Sequence, residues 1–419
     1  MNVAYISNEF PSPVEPYVMD EINELRRRNV NVICCSGKRV APHALSPMER
    51  AFWKETRYFQ PLSDDQLTRA ARRLVSNRNE LWRLSRHLLA EKESSLNRRF
   101  RTVGHTLMGS VLAEELAPLE VEHIHCHHGY FASWMALVAA RLLGIDFSIT
   151  LHGSDLLQRA DLLEAKLREC KFCVTVSEFN REYLLRNYPS IAREKVLVQR
   201  LGVDALSSGT VGTVKAAEGH RPFCLLAVGR LHPVKNYSLL IEACSELRAQ
   251  GVDTFCWIVG EGAERAALER QIVKLRLQGY VQLVGHISRS EVGNYYGHAD
   301  LVVMTSKSEG IPVVLMEAMS RGKLVLAPAI TGIPELVEHQ ATGFLYEPGS
   351  RESFVNSVRW IQANQERLAG VRRAAAAKVA DSYHRQRNVR AFADGFLARV
   401  PKPGGDYANS VLQQIRLSV

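Results

Sequence analysis

The feature that most constrains the fold is an alternation of short apolar runs with longer amphipathic stretches. Short apolar runs bounded by turn residues suit strands that are buried on both faces of a sheet. Strands that alternate with helices favour a parallel, doubly wound α/β sheet. Helices are predicted at residues 18–29 and 133–143. The strands predicted in the first half are residues 3–6, 30–35, 123–126, 145–151, 173–177 and 196–200.

The alternation stops once and then begins again. Residues 206–221 are rich in Ser, Gly and Thr and have no apolar period, so they are predicted to be a linker. At 419 residues the chain is long for one core, and two domains of the same class are expected, at 1–205 and 222–384. A closing helical segment is expected at 385–419. The strands predicted in the second half are residues 223–228, 255–259, 281–285, 301–304 and 324–327, with further helices at 351–362 and 384–399.

The composition indicates a cytoplasmic protein. No apolar run approaches the length of a membrane-spanning helix, and residues 1–6 read as a strand rather than a signal peptide. The eight cysteines are scattered, mostly in apolar runs where a reduced thiol acts as a small hydrophobe. Only Cys170 and Cys173 have metal or redox spacing, and a structural role is favoured for them.

The net charge of +9 is concentrated in one segment. Residues 66–102 hold ten Lys or Arg against three Glu, within a basic helical insertion at about 62–105. This segment also carries Trp82 and several leucines, so it is predicted to contact an anionic membrane or acceptor from the cytoplasmic side. The alternative is a helix pair with a solvated basic face. Nucleic acid is not expected as a partner, because no motif of a known binding module is present.

Two glutamates, Glu309 and Glu317, flank a predicted strand-to-helix joint. Pro312 suits a helix start, and the free N–H groups there favour an anion such as phosphate. Glu317 lies in the first turns of the helix with its side chain leaning back, so both carboxylates can reach one ligand. Taken alone, the pair is equally consistent with a surface loop and a solvated helical Glu.

Residues 306–337 closely resemble the donor-site signature of the family-4 retaining glycosyltransferases, a Glu followed by seven residues and a second Glu. The resemblance implies the GT-B fold, with two Rossmann-like doubly wound domains facing across a cleft. It places Glu309 beside the donor sugar and Glu317 at the nucleotide ribose. The residues assigned with them to donor binding are Gly310, Ile311, Pro312 and Val313.

A second element, Arg230 and Lys235, follows the first strand of the second half and suits a pyrophosphate. It resembles the family's Arg and Lys pair, which implies stabilisation of the leaving diphosphate without a metal or other cofactor. No Asp-x-Asp motif is seen. Two further turns, at Gly260 and Ile287, are assigned by resemblance to the nucleotide side of the site.

In the first half, residues 152–155 resemble the family's His-Gly-x-Asp element, which implies that His152 contacts the sugar at the catalytic centre. Asp155 is a weaker candidate. The histidine-rich residues 123–128 alternate across a strand, so one tetrahedral metal site is not favoured and a cleft-wall role is preferred. His128 or Tyr130 is a candidate for acceptor contact.

The proline-rich loop at residues 8–18 departs from the Gly-rich loop of many members and resembles bacterial exopolysaccharide and colanic-acid-type enzymes. A direct phosphate contact from this loop is therefore not expected. The function predicted is transfer of a sugar from a nucleotide-sugar donor to a glycan or lipid-linked acceptor, by a retaining, metal-independent, hexosyl-type glycosyltransferase. The alternatives are a nucleotide-sugar 2-epimerase-like isomerase and a non-catalytic nucleotide-sugar-binding protein of a polysaccharide assembly.

Overall fold

A computed structural model describes residues 1–12, 15–42, 45–90, 96–157, 162–204 and 221–400. The chain divides into two compact units. Unit 1 is Met1–Gln199 together with the residues from Arg387 onward, and unit 2 is Arg200–Gln386. Apart from Arg221, the predicted linker at 206–221 lies outside the described residues, and so does the end of the segment predicted at 385–419.

Unit 1 contains a seven-stranded parallel sheet with the order β3-β2-β1-β4-β5-β6-β7. Every residue of β4 is buried, as a strand covered on both faces requires. The strands are β1 Asn2–Glu9, β2 Asn31–Lys38, β3 Arg57–Tyr58, β4 His123–His127, β5 Asp146–Leu151, β6 Phe172–Thr175 and β7 Val196–Val198.

Unit 2 contains a six-stranded parallel sheet with the order β10-β9-β8-β11-β12-β13. The five strands predicted here are confirmed, with ends that move by one residue at most. The three-residue β13 was not predicted. The strands are β8 Phe223–Val228, β9 Thr254–Val259, β10 Val281–Gly285, β11 Leu301–Val303, β12 Leu324–Pro328 and β13 Phe344–Tyr346.

The strand order determines where each unit can bind a ligand. In both sheets the chain starts in the middle, adds two strands to one side and then crosses to the other side. The crossing points lie between β1 and β4 and between β8 and β11. Ligands of such sheets bind at the carboxyl ends of the strands beside this point.

Helices connect the strands of both units, as parallel pairing requires. The helix α16 was not predicted, although residues 374–377 within it are all alanine, the strongest helix former. The helices are α1 Pro16–Arg27, α2 Pro47–Glu55, α3 Asp64–Ser76, α4 Arg78–Ala90, α5 Leu96–Leu116, α6 Phe131–Leu143, α7 Ser154–Leu157, α8 Leu163–Glu169, α9 Glu178–Asn187, α10 Tyr237–Ala249, α11 Arg265–Lys274, α12 Arg289–His298, α13 Val313–Ser320, α14 Ile333–Leu336, α15 Arg351–Ala363, α16 Ala369–Ser382 and α17 Arg385–Arg399.

The last helix, α17, packs into the core of unit 1. Its Phe392 and Phe396 are buried in one cluster with Tyr5 and Phe172. The ring of Phe396 lies 5.5 Å from that of His125 on β4. Residues far apart in sequence therefore complete one face of the first sheet.

None of the helices in the described ranges is both long enough and apolar enough to cross a membrane. The basic segment at 66–102 lies on α3, α4 and α5. Residues 91–95 of this segment are outside the described part.

Candidate functional site

In unit 2, Glu309 and Lys235 meet at the crossing point of the sheet. Lys235 follows β8 and Glu309 follows β11, which is the neighbouring strand. The Lys235 Nζ lies 2.5 Å from Glu309 Oε1, and both side chains are largely buried. The hydroxyl of Thr331 donates to the backbone oxygen of Glu309 at 2.6 Å, and that of Thr305 donates to the backbone oxygen of Lys235 at 2.8 Å. The loop that carries Glu309 and the loop that carries Lys235 are thus each held in place by a hydrogen bond to the backbone.

Glu317 has a different environment, in the second turn of α13. Its Oε2 accepts a hydrogen bond from the hydroxyl of Tyr296 on α12 at 3.1 Å. The guanidinium of Arg321 covers the Tyr296 ring at 4.8 Å. The sequence does not indicate Tyr296 as a site residue, because a single tyrosine in a helix belongs to no motif. The two glutamates have different partners, as expected if their roles differ.

The loop from Glu309 to Pro312 packs directly against the backbone of Gly332. A Cβ added at Gly332 would lie 2.3 Å from the backbone oxygen of Gly310. Pro312 is the residue just before the first turn of α13, one position earlier than predicted, and its carbonyl accepts from the N–H of Leu315 at 3.1 Å. The predicted donor-binding residues from Gly310 to Val313 thus form the tightly packed loop that leads into the first turn of α13.

The glycine turns after β8, β9 and β10 also lie together. The N–H of Gly229 donates to Val259, and that of Gly260 donates to Gly285, each at 2.9 Å. Arg230, beside Gly229, has an exposed side chain, and Ile287, just beyond Gly285, is half-buried. The structure therefore brings all the predicted donor-binding positions of unit 2 to the carboxyl edge of its sheet.

In unit 1, His152 follows β5 and contacts aromatic and imidazole rings. Its Nε2 lies 3.1 Å from Nδ1 of His127, at the end of β4. The Tyr17 ring centroid is 4.8 Å away and that of His128 is 4.6 Å away. Burial, together with the nearby imidazoles of His128 and His127, lowers the pKa of His152 well below its usual value. His152 is therefore a neutral imidazole at physiological pH.

Asp155 orients the loop that carries His152. Its buried carboxylate accepts the backbone N–H groups of His152, Gly153 and Gly129 at 2.8 to 3.0 Å. Burial alone would raise the pKa of this carboxyl, but the neighbouring His128 and the Gly129 N–H hold it well below its ordinary value. The conformation of the loop thus depends on an ionised Asp155.

His128 is a buried cation between two carboxylates. Its Nε2 lies 2.8 Å from Glu15 Oε1, and its Nδ1 lies 3.5 Å from Asp155 Oδ2. Burial opposes the charged form, but Glu15 and Asp155 outweigh it and raise the pKa of His128 to about 10. Glu15, in the proline-rich loop, was not predicted as a site residue. Its carboxylate faces the imidazole of His128.

Replacing His128 by Asn is expected to destabilise the protein in a pH-dependent way. The pKa of His128 is higher in the folded protein than in the unfolded chain, where it is about 6.5, so protonated His128 stabilises the fold. This stabilisation is complete below about pH 6.5 and is lost as the pH rises through about 10. Loss of one partner of a buried pair costs about 3 kcal/mol. Urea unfolding of both proteins should show the largest difference near pH 6 and little difference near pH 10. A difference that stays constant with pH would contradict the ion pair.

The histidines at positions 123 and 125 lie in the core rather than on a surface, so a wall role is wrong for these two. The nitrogens of His125 contact the hydroxyls of Ser148 and Thr150 at 2.7 and 3.0 Å. Glu21, His125 and His127 place ligand-type atoms within 4.8 Å of one another. Because both nitrogens of His125 already have partners, this group does not fit a metal ion well.

Cys170 and Cys173 are buried free thiols, as the structural interpretation predicted. Burial raises the pKa of Cys170 to about 12. A buried thiol with a raised pKa is typical of a structural cysteine.

Two known families match this chain. Residues 14–205 match the family described as Glycosyltransferase Family 4, and residues 214–378 match Glycosyl transferases group 1. Together the two matches extend over both units.

Individual relatives agree with these families. The amylovoran biosynthesis glycosyltransferase AmsK of Erwinia amylovora is 28% identical over 302 residues, covering 69% of this chain and 73% of AmsK. WcaL of Escherichia coli (strain K12), named for colanic acid biosynthesis, is 34% identical over 201 residues. That match covers 46% of this chain and 49% of WcaL, about half of each.

Among solved structures, HepE of Anabaena in complex with UDP and glucose matches with a TM-score of 0.69 and 18% sequence identity. The match covers 95% of this chain and 100% of HepE, which shows a common fold. The predicted resemblance to exopolysaccharide and colanic-acid-type enzymes is confirmed by the relatives. The chain belongs to the family-4 glycosyltransferases of the GT-B fold.

Proposed function

We propose that the protein is a retaining glycosyltransferase that moves a sugar from a nucleotide-sugar to a glycan or lipid-linked acceptor, in bacterial cell-surface or exopolysaccharide biosynthesis. The observation that carries the proposal is the Lys235–Glu309 pair at the carboxyl ends of neighbouring strands. Sheets of this order bind ligands at that position. The UDP and glucose bound to HepE and the amylovoran role in the name of AmsK support the donor and product classes.

Unit 2 binds the donor in this proposal. Lys235 and the exposed Arg230 contact the diphosphate and stabilise the charge that develops as it leaves, so no metal ion or other cofactor is required. Lys235 exchanges its partner Glu309 for a phosphate oxygen when the donor binds. Glu309 then faces the sugar and stabilises positive charge on the ring. Glu317, held by Tyr296, accepts hydrogen bonds from the ribose.

Unit 1 binds the acceptor, with His152 contributing a neutral imidazole to the reaction. Retention follows if the acceptor hydroxyl attacks the face from which the diphosphate departs. In this arrangement the departing phosphate can take the proton of the hydroxyl, so a strong protein base is not needed. This agrees with the low pKa of His152, which makes it a poor proton acceptor.

A donor screen tests the proposal. The purified full-length chain is incubated with a panel of nucleotide-sugars, with and without membrane-lipid extract as a source of acceptor. We expect release of nucleoside diphosphate from one donor, faster with acceptor. An epimerised nucleotide-sugar without acceptor would favour the isomerase instead. Binding of a donor without any turnover would favour the non-catalytic alternative.

We also propose that the basic segment at 66–102 holds the enzyme against the cytoplasmic face of an anionic membrane. Within the described part of the segment, Val75 and Trp82 are 71% and 65% exposed. The side chains of Arg72 and Arg86 are exposed near them. Exposed apolar side chains among cations suit the boundary between anionic headgroups and acyl chains.

Replacing Trp82 by Ser should weaken vesicle binding about thirtyfold, because the loss of one inserted indole removes roughly 2 kcal/mol of transfer free energy. Cosedimentation with vesicles containing anionic lipid measures the effect, and added salt should reduce binding by the wild type. Trp360 in unit 2 is 47% exposed, so Trp360→Ser is the matched control and should leave binding unchanged. Equal binding by Trp82→Ser and the wild type would contradict the proposal.

A further inference from the structure

A groove of about 510 Å³ lies in unit 2 beside β13, the edge strand of the sheet. The residues that line it come from the turn before β13, from β13 itself and from the exposed side of α15. Its volume is in the range of small-molecule sites. Because β12 lies between β13 and β11, the groove does not include the loop that carries Glu309. It is therefore a second place where unit 2 could bind a ligand.

The groove contains a partly exposed indole. Trp360 on α15 is 47% exposed. Its ring centroid lies 5.6 Å from that of Phe344 on β13, which is buried. The contact with Phe344 holds the indole in place, while the rest of the ring stays open to solvent. A flat apolar ring of this kind can pack against the C–H face of a sugar ring.

Polar side chains line the groove beside the indole. Four of them are exposed amides and carboxylates, from Gln340, Glu347, Glu352 and Asn356. An amide both donates and accepts hydrogen bonds, and a carboxylate accepts them from hydroxyl groups. Within the described part of the chain, no Lys or Arg lines the groove. The groove therefore suits a neutral ligand rich in hydroxyl groups, whereas its two carboxylates repel an anion such as a phosphate.

A peptide strand is a poor fit to the same groove, although β13 is an edge strand. Strand addition requires backbone N–H groups that are free to pair. The N–H of Leu345 already donates to Nδ1 of His339 at 3.1 Å. The N–H of Glu347 donates to Oγ of Ser353, also at 3.1 Å. Side chains that line the groove thus occupy these backbone donors, and a ligand must bind through the aromatic and polar side chains instead.

We propose that this groove binds a neutral saccharide chain, with the indole of Trp360 against one sugar ring and the side chains of Gln340 and Asn356 at its hydroxyl groups. The consequence for transfer rests on the proposed function, whereas the binding itself does not. A glycan acceptor held in the groove stays bound to the enzyme, which raises its local concentration. Trp360→Ser should therefore raise KM for a glycan acceptor and leave KM for the donor unchanged.

Affinity electrophoresis measures the binding without any donor. The full-length chain and its variants are run in native gels that contain dextran, mannan or galactan, and in a blank gel. We expect at least one of these neutral polysaccharides to retard the wild type, with a dissociation constant at least tenfold larger for Trp360→Ser. Asn356→Ala should weaken binding about fivefold. Because Asn356 is exposed, this second variant tests the groove without disturbing the packing of Trp360 on Phe344.

Trp82→Ser is the matched control, because Trp82 is an exposed tryptophan of unit 1, and it should be retarded as the wild type is. Anionic alginate should retard the wild type and Trp360→Ser equally, because any contact that it makes lies outside the groove. No retardation by the three neutral polysaccharides, equal retardation of Trp360→Ser and the wild type by them, or a difference between the two proteins with alginate alone would overturn the proposal. The expected binding by a wild type that turns over no donor would support this inference while refuting the proposed function. Turnover without such binding would do the reverse.

Discussion

Replacing Glu309 by Gln is expected to lower kcat by about a hundredfold to a thousandfold while leaving donor affinity nearly unchanged. Gln keeps the size of the side chain and can still accept a hydrogen bond from Lys235, so the loops after β8 and β11 should stay in place. What is lost is the negative charge beside the sugar ring, which matters most in the transition state. Initial rates and calorimetric donor binding measure the two effects separately.

Two further variants sharpen this result. Glu317→Gln should mainly raise KM for the donor, because Glu317 is assigned to the ribose and is held by Tyr296 rather than by Lys235. Glu338 is exposed and pairs with Lys378, so Glu338→Gln is the control and should behave as the wild type. Full transfer activity in Glu309→Gln with normal donor affinity would show that the assignment of Glu309 is wrong.

Replacing Gly260 by Ala is expected to destabilise unit 2 by about 3 kcal/mol or more and to abolish donor binding. Gly260 has a φ of +145°, which L side chains rarely adopt. An added Cβ would also lie 2.0 Å from the backbone oxygen of Gly229. The turn that carries Arg230 must therefore move away from the ends of β9 and β10.

Chemical unfolding and calorimetric titration with the donor test this expectation. Gly279→Ala is the matched control, because no atom lies within 4 Å of its added Cβ and its φ is not positive. Gly279→Ala should therefore leave both the free energy of unfolding and the donor affinity unchanged. If Gly260→Ala bound the donor with normal affinity, the close approach of the two turns would not be needed for the site.

Much of the fold follows from periodicity. The strands of unit 2 stand out because each is an apolar run with turn residues after it, and parallel strands need such runs on both faces. The donor positions from Glu309 to Glu317 could be predicted together because they are close in sequence and match one family signature, whereas Arg230, Lys235, Gly260 and Ile287 were assigned from separate short elements. Their place at the crossing point then follows from the strand order.

The supporting residues could not be predicted in the same way. Tyr296 reaches Glu317 from another helix, and Glu15 reaches His128 from a distant loop. Each is a single residue whose role depends on tertiary packing rather than on local pattern. The cleft-wall interpretation failed for His123 and His125 for a related reason, since α17 covers that face from the far end of the chain.

The stereochemistry of the reaction tests the proposed retaining transfer most directly. Once the donor screen identifies a nucleotide-sugar that is turned over, the product is followed by ¹H NMR from the start of the reaction. We expect a glycoside with the same anomeric configuration as the donor, formed by the wild type and nearly absent with Glu309→Gln. An inverted product, or equal rates for the two proteins, would contradict this expectation.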